Sequence, residues 1–445
     1  MANEADNTAK EGRGGAASAD FCQLSARDQT VNVLVVAINT ALSYLAAPVM
    51  YVDTVHAVLC KGLGASAFVY NLPGSTYLLF SAAPLFVGWL LPKASQLRPI
   101  IVTCYAGMAA STLLVGLLLM APISDQVKIA MIILHGACTG IGRTVAVAGE
   151  FEVLGRAVSP SRRGRALGLA YGLGPILAII GWLVGQLLLA RKFGPLELAE
   201  APFPSNYKAL FLACTPALAI AALLATRLII PNDDRPVVRS AAGPLGGLGE
   251  FLSRPVVLLS VGVAIMLASG ATMISNLSTY AEVVYEQSAD QFAGLLKTTQ
   301  YGFKAVAGLG LGWLLSRTNP KTCVLASGSC ILAAAMWAIY SPANTYILGF
   351  GLLGMGTLSG VYITNYMLYC ATPDKIRRYM AFCMLAQVPC ALAGQLLGWI
   401  KDQYPKELAE RGFRASFLAA AAFVMVGLLL ATRLPKRPQA EEAAG

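Results

Sequence analysis

Twelve apolar runs of membrane-crossing length limit this chain more than any other feature. They lie near residues 31–52, 66–91, 99–121, 127–150, 165–190, 208–230, 255–280, 291–315, 322–341, 344–370, 379–400 and 414–434. A helix rises about 1.5 Å per residue, so about 20 apolar residues cross a hydrocarbon layer of about 30 Å. Some stretches, such as Met108–Pro122, hold no charge at all. Charged residues are 13% of the 445 and hydrophobic residues 56%, about half the charged share of an ordinary soluble domain. This composition excludes a soluble enzyme, a disordered chain and a disulfide-built scaffold. The ten cysteines sit mostly inside the apolar runs and form no CxxC pair, which predicts small buried apolar roles.

Charge distribution predicts the orientation. The formal charge is +10, but the basic residues are scattered over short loops, so a nucleic-acid surface is excluded. With the N-terminal tail inside and strict alternation, 21 of the 33 Lys and Arg fall on the inner side. Clusters such as Arg162, Arg163 and Arg165, or Lys375, Arg377 and Arg378, carry that bias. The positive-inside rule then places both termini in the cytoplasm. Residues 1–30 are polar and lack the apolar core of a signal peptide, which predicts a disordered cytoplasmic tail.

The two halves of the chain repeat each other. Residues 207–228 and 413–434 match at ten of 22 positions without a gap, including Ala225-Thr226-Arg227-Leu228 against Ala431-Thr432-Arg433-Leu434. Gly88-Trp89-Leu90-Leu91-Pro92-Lys93 matches Gly312-Trp313-Leu314-Leu315-Ser316-Arg317, and Ser159-Pro160 with Arg165 matches Thr372-Pro373 with Arg378. The expected fold is therefore all-α and integral to the membrane, with twelve transmembrane helices in two six-helix bundles. Residues 31–230 form one bundle and 255–434 the other, joined by a cytoplasmic linker at 231–254 and followed by a tail at 435–445. Six is an even number, so both copies start on one side and the pseudo-two-fold axis lies along the membrane normal.

With these residues in place, residues 31–434 resemble the major facilitator superfamily of secondary transporters. The most specific part is the turn Pro160-Ser161-Arg162-Arg163-Gly164-Arg165-Ala166-Leu167-Gly168. Gly140-Ile141-Gly142 and Gly354-Met355-Gly356 are similar to the family's glycine pairs in spans four and ten. Pro92 and Ser316 stand where the family's turns carry an aspartate, and Gly136 stands where span four usually carries an arginine. The resemblance implies alternating access around a central site, with Lys93, Arg165, Arg317 and Arg378 at the gating turns and Glu152 in the inner charge network.

Charges inside spans point to the cargo, because a charge in hydrocarbon costs about 2.5–3.5 kcal/mol or more and so faces a cavity or a partner. Lys304 and Arg143 are deep cations in spans eight and four. A lysine point charge beside a bidentate arginine suits an organic anion. Their competing role is structural pairing, Arg143 with Glu150, although seven helical residues separate that pair by about 10 Å. Glu150, Asp53 and His135 are candidates for ion coupling, most simply with protons. Asn39 and Tyr44 on span one, Asn276 on span seven, and Tyr362, Asn365 and Tyr369 on span ten supply hydrogen-bonding groups for a polar solute, or hydrogen bonds between helices.

Gly168, Gly172, Gly174, Gly181 and Gly185 on span five, and Gly302, Gly308, Gly310 and Gly312 on span eight, form small-residue series that permit close packing. No Walker loop, HExxH or GxSxG is present, and His56 and His135 lie far apart in sequence, so neither an enzyme, a metal nor a cofactor is expected. The expectation is a secondary active transporter of a small polar solute, an organic anion first, acting as a monomer in a plasma or bacterial inner membrane. A carrier of sugars, nucleosides or drugs, and a membrane sensor or scaffold that transports nothing, are the alternatives.

Overall fold

The computed structural model describes residues 24–52, 54–65, 67–190, 192–193, 196–199, 202–231, 243–285, 289–371 and 375–436. The tail before residue 24, Asp53, most of the linker, the Thr372-Pro373 pair and the end of the chain lie outside them.

The fold is all-α, in two six-helix bundles, and among the described residues one pair of two-residue antiparallel strands joins Lys192–Phe193 to Leu196–Glu197. Spans one to six are Ala26–Leu45 continued by Ala47–Met50, then Ala67–Leu79 continued through Phe80–Ala82 into Ala83–Leu90, then Leu97–Leu118, Asp125–Ala157, Pro160–Ala190 and Ser205–Ala225. Spans seven to twelve are Pro255–Ala271 with Ile274–Tyr285, then Ala289–Arg317, Pro320–Tyr340, Leu348–Gly356 with Ser359–Cys370, Ile376–Leu385 with Val388–Asp402, and Ala409–Thr432. A short helix, Thr54–Gly62, follows span one, and a linker helix, Leu248–Ser253, precedes span seven. The side carrying that linker is called the linker side below.

The interrupted spans have local causes. Proline removes a backbone donor and crowds the preceding turn. Span one breaks at Ala46 ahead of Pro48, span two passes through a 3-10 turn ahead of Pro84, and span eleven breaks ahead of Pro389. Span seven breaks without proline, where the Thr272 hydroxyl donates to the Ser269 carbonyl at 2.6 Å and competes with the helix ladder. Span ten breaks at Thr357–Leu358 within a glycine-rich stretch. Gly354 there lies against the Gln300 backbone, where a Cβ would strike the carbonyl oxygen.

Eight described helices are long and apolar enough to cross a membrane on length and composition alone. Spans one, two, eight and ten fall outside that set. Spans one, eight and ten also carry Asn39, Tyr44, Lys304, Tyr362 and Asn365, and these polar residues are part of what lowers their apolarity.

The bundles meet most closely along spans five and eight. A Cβ on Gly312 would strike the Cα of Gly168, and one on Gly308 would strike the Tyr171 carbonyl oxygen. A Cβ on Gly164 would lie 2.9 Å from the Gly312 carbonyl oxygen. Only glycine lets two helix backbones approach this far, and in a bilayer close packing replaces the hydrophobic drive. This contact is on the linker side, since Gly164 lies in the first turns of span five and Gly312 in the last turns of span eight.

Candidate substrate site between the bundles

Lys304 and Arg143 come from different bundles and converge on the same tyrosines. Each lies about 20 Å along its helix from the linker-side end, counted from Arg317 and Ala157. The Lys304 ammonium sits 5.4 Å from the ring centroid of Tyr44. A cation over an aromatic face is attracted by the ring's quadrupole. Tyr44 packs against Tyr51 and Tyr301 with ring centroids 6.1 and 6.2 Å away, and Tyr301 belongs to the other bundle. Arg143 lies within electrostatic range of Tyr51, Tyr105, Tyr171 and Glu150, and Lys304 within range of Tyr51 and Arg143.

Several buried polar atoms here have no protein hydrogen-bond partner among the described residues. They include Arg143 Nη1, Gln300 Oε1, the Tyr362 hydroxyl, and both amide atoms of Asn365 and of Asn39. Tyr362, Asn365 and Asn39 are fully buried. Such groups are costly unless paired, so their concentration is informative. Gln300 lies one turn from Lys304 on span eight. Tyr362 lies within electrostatic range of Tyr171 across the bundle interface. Asn365 follows one turn later, and Tyr369 a turn beyond that, under the Arg163 guanidinium at 5.4 Å. Tyr362, Asn365 and Tyr369 therefore share the face that meets the first bundle. Asn276 is placed differently: its amide donates to the Ser416 hydroxyl at 2.6 Å within the second bundle.

Glu150 is buried below Arg143 and accepts a hydrogen bond from the Tyr105 hydroxyl at 2.7 Å. Ser43, whose hydroxyl donates to the Asn39 carbonyl at 2.9 Å, also interacts with Tyr105. His135 lies away from this group, inside the first bundle. Its Nδ1 pairs with the Ser111 hydroxyl at 3.0 Å, and Nε2 lies 3.4 Å from the Val49 carbonyl oxygen. His56, distant in sequence, stacks on it with ring centroids 5.3 Å apart, and Phe211 packs edge-on against both. No group of three metal-ligating side chains occurs among the described residues. Asp53 lies outside the described residues.

Closer to the linker side, Glu152 joins the bundles. Its Oε1 accepts from Arg156 Nε at 2.7 Å and its Oε2 from Arg377 Nε at 2.7 Å. Arg377 Nη1 also donates to the carbonyls of Leu91 and Lys93, the latter at 3.0 Å. One arginine of span eleven thus grips spans two and four. Arg163 donates to the Leu154, Val158 and Gly155 carbonyls at 3.0, 3.1 and 2.9 Å, satisfying the acceptors that a helix C-terminus leaves open.

The gating residues chosen from sequence are dispersed around this clamp. Glu152 is in it and Lys93 enters through its carbonyl. Arg165 is exposed on span five, and the Arg317 guanidinium lies 5.7 Å over the Trp313 ring. Arg378 lies against Gly247 of the linker. Sequence alone does not single out Arg377, because the internal repeat pairs Arg165 with Arg378 and nothing separates two adjacent arginines. Gln300 carried no signal, being a neutral residue in a polar turn.

The chain matches the family model described as Major Facilitator Superfamily over residues 30–394. No curated protein sequence matches it. Among solved structures, the human organic anion transporter MFSD10 (TETRAN) is similar at TM-score 0.66 and 15% identity, covering 91% of this chain and 99% of that one. The E. coli fucose:proton symporter FucP is similar at TM-score 0.69 and 13% identity, with the same coverage. The nucleoside transporter NupG follows at TM-score 0.58, 13% identity and the same coverage. At these identities the structural matches establish the fold, and the family model covers most of the sequence: the chain belongs to the major facilitator superfamily of multi-pass membrane transporters.

Proposed function

We propose that the protein is a secondary active transporter of small organic anions, working by alternating access and coupled to protons. The observation that carries this reading is the convergence of one cation from each bundle, Arg143 and Lys304, on Tyr44 and Tyr51, with Arg143 Nη1 unpartnered. Two like charges in a poorly solvated interface repel, and an anion between them relieves that repulsion. An anion held by residues of both bundles also interacts differently with each arrangement of the bundles, which is what a ligand needs in order to shift a conformational equilibrium. Among the proteins of similar fold, MFSD10 is described as an organic anion transporter and FucP as a proton symporter.

Glu150 is the coupling group in this reading. It lies on the helix of Arg143, buried, with the Tyr105 hydroxyl on one oxygen. Its proton occupancy responds to the net charge at Arg143, so anion loading and proton loading are thermodynamically linked. The Glu152–Arg377 clamp and the glycine contact of spans five and eight close the linker side, which the positive-inside rule makes cytoplasmic. The chain acts as a monomer, since both cations belong to one chain.

The test uses purified protein in liposomes with labelled monocarboxylates, glucose and a nucleoside, at two imposed pH gradients. Saturable carboxylate uptake is expected, falling at least about tenfold in Lys304→Ala, the scale of one lost charge-assisted hydrogen bond. Neutral-solute uptake that survives Lys304→Ala would overturn the anion reading. Glu150→Gln is expected to abolish the response to the pH gradient while anion exchange across the membrane continues.

A further inference from the structure

We infer that Tyr105 and Ser43 are the positioning residues through which a proton on Glu150 acts on the anion site. They form a hydrogen-bond chain from span four through span three to span one, and only the protonated carboxyl completes it. This rests on the coupling role given to Glu150 above and adds the residues that transmit it.

Span three buries a stripe of Ile101, Tyr105, Met108 and Thr112, spaced by three and four residues on one helix face. The Thr112 hydroxyl donates to the Met108 carbonyl of its own helix at 2.8 Å. The Tyr105 hydroxyl instead leaves its helix and donates to Glu150 Oε1 at 2.7 Å. The same Tyr105 oxygen is met by Ser43 of span one, whose hydroxyl is within hydrogen-bonding reach of it and donates to the Asn39 carbonyl at 2.9 Å. Glu150, Tyr105 and Ser43 are all buried. The charged and titratable groups facing Glu150 are Arg143 on its own span, Tyr105 and Cys104 on span three, and Tyr171 on span five. Arg377, which span eleven brings to this helix, is engaged by Glu152.

The number of protons decides the state of the chain. Its three links are Glu150 to Tyr105, Tyr105 to Ser43, and Ser43 to the Asn39 carbonyl. An ionised carboxylate and a backbone carbonyl only accept, and each hydroxyl brings one proton. With Glu150 ionised, two protons serve three links, so one link stays open whichever way the hydroxyls turn. Since Tyr105 donates to Glu150 and Ser43 to Asn39, the open link is the one between Tyr105 and Ser43. A proton on Glu150 makes the count three. The buried acid then needs an acceptor, and among the described residues the Tyr105 oxygen is the one at hydrogen-bond distance. Tyr105 turns its own proton to Ser43, and all three links close. Linked hydrogen bonds polarise one another, which favours the complete chain. Span one is thereby fastened to span three at Ser43, the neighbour of Tyr44, whose ring carries the Lys304 contact. Proton binding at Glu150 and the seating of Tyr44 against the other bundle are therefore coupled.

The test is the pH dependence of what Ser43→Ala costs in thermal midpoint, on the purified full chain in detergent at about pH 5 and about pH 8. Alanine removes two links, one of which is already open while Glu150 is ionised. The cost is expected to be small at the higher pH and larger by about 1–2 °C at the lower, the scale of one hydrogen bond in a chain of this length. In Glu150→Gln the amide donates to Tyr105 at every pH, so Ser43→Ala is expected to cost the larger amount at both. Tyr105→Phe keeps the ring, breaks the chain and is expected to make the cost of Ser43→Ala equal at the two pH values. His56, His135 and the surface carboxylates titrate alike with and without the Ser43 hydroxyl, so they cancel from the difference. Equal costs at both pH values in the otherwise wild-type chain would overturn the hydrogen-bond chain, whatever is transported. In liposomes, the effect of the pH gradient on uptake of labelled monocarboxylates is expected to shrink about fivefold in Ser43→Ala. A pH response that Ser43→Ala leaves unchanged would overturn the route and leave the coupling role of Glu150 standing. Uptake that ignores the pH gradient in the wild type, with a pH-dependent Ser43→Ala cost, would keep the hydrogen-bond chain and overturn the coupling role itself.

Discussion

At the scale of single residues, two buried cations, one from each bundle, meet over Tyr44. Arg143 and Lys304 stand out because hydrocarbon tolerates so few charges. Their meeting over Tyr44 depends on how spans one, four and eight cross, which no local pattern encodes. The same holds for His56 and His135, whose rings stack although 79 positions of chain lie between them, and for Arg377, whose grip on Glu152 spans 225 positions. Among the described residues, removing Arg377 leaves Glu152 with Arg156 alone. Breaking a buried, hydrogen-bonded charge pair costs about 2–5 kcal/mol. At about 2 kcal/mol, Arg377→Gln shifts the balance away from the closed linker side by about thirtyfold. Cys370 reports this shift, being a buried thiol at the linker-side end of span ten. Its alkylation, read by peptide mass spectrometry, is expected to quicken in Arg377→Gln. An unchanged rate would remove the clamp from the gate.

At the scale of elements, the apolar runs gave the spans, and the charged ends set where the helices stop. Span four reaches Ala157, beyond the apolar run that ends near 150, because Glu152 and Arg156 pair along its last turns. The breaks in spans one, two and eleven follow prolines visible in the sequence, whereas the break in span seven follows a side-chain hydrogen bond that is not. The glycine series on spans five and eight was visible, but only the structure shows which members touch. Gly308→Val would drive a branched side chain into the Tyr171 backbone. Overpacking of this kind costs about 1–3 kcal/mol, so a lower thermal midpoint in detergent is expected. Gly302→Val, with open space around it, is expected to leave the midpoint unchanged.

The linker helix is tied to the element that carries the clamp. Phe251 packs against Tyr379 and Phe382 with ring centroids 4.9 Å away in each case, and Glu250 accepts from Lys375 at 2.6 Å. The Lys375 hydrogen bond holds the Glu250 carboxyl below the ordinary carboxylate range, against the opposing effect of burial and with help from the charges of Lys375, Arg254 and Arg378. A depressed folded-state pKa contributes stability that is present above the unfolded value and lost as pH falls through the folded one. Linker docking is therefore expected to hold at neutral pH and to weaken only in acid. The pair is half-exposed and its contribution modest. Hydrogen exchange of residues 248–253 should show that acid loss in the wild type and not in Glu250→Gln. Equal pH profiles would dismiss the contact.

For the whole molecule, the internal repeat is the most informative signal in the sequence, because matched residues at three places imply two copies of one six-helix unit. It could not reveal the chemistry, since the site is where the copies differ. The glycine pairs that align spans four and ten set Arg143 against Thr357 and Glu150 against Thr364. The first bundle supplies an arginine and a carboxylate where the second supplies hydroxyls. An anion joined to both bundles makes Arg143 and Lys304 a coupled pair, which equilibrium binding can measure. Calorimetric titration of a saturably transported carboxylate into the wild type, Arg143→Gln, Lys304→Gln and the double variant tests this directly. Each single change is expected to weaken binding about tenfold to a hundredfold, the range for hydrogen bonds to charged groups, and the double variant to lose less than the product of the two. Affinity unchanged in either single variant would contradict an anion held between the bundles.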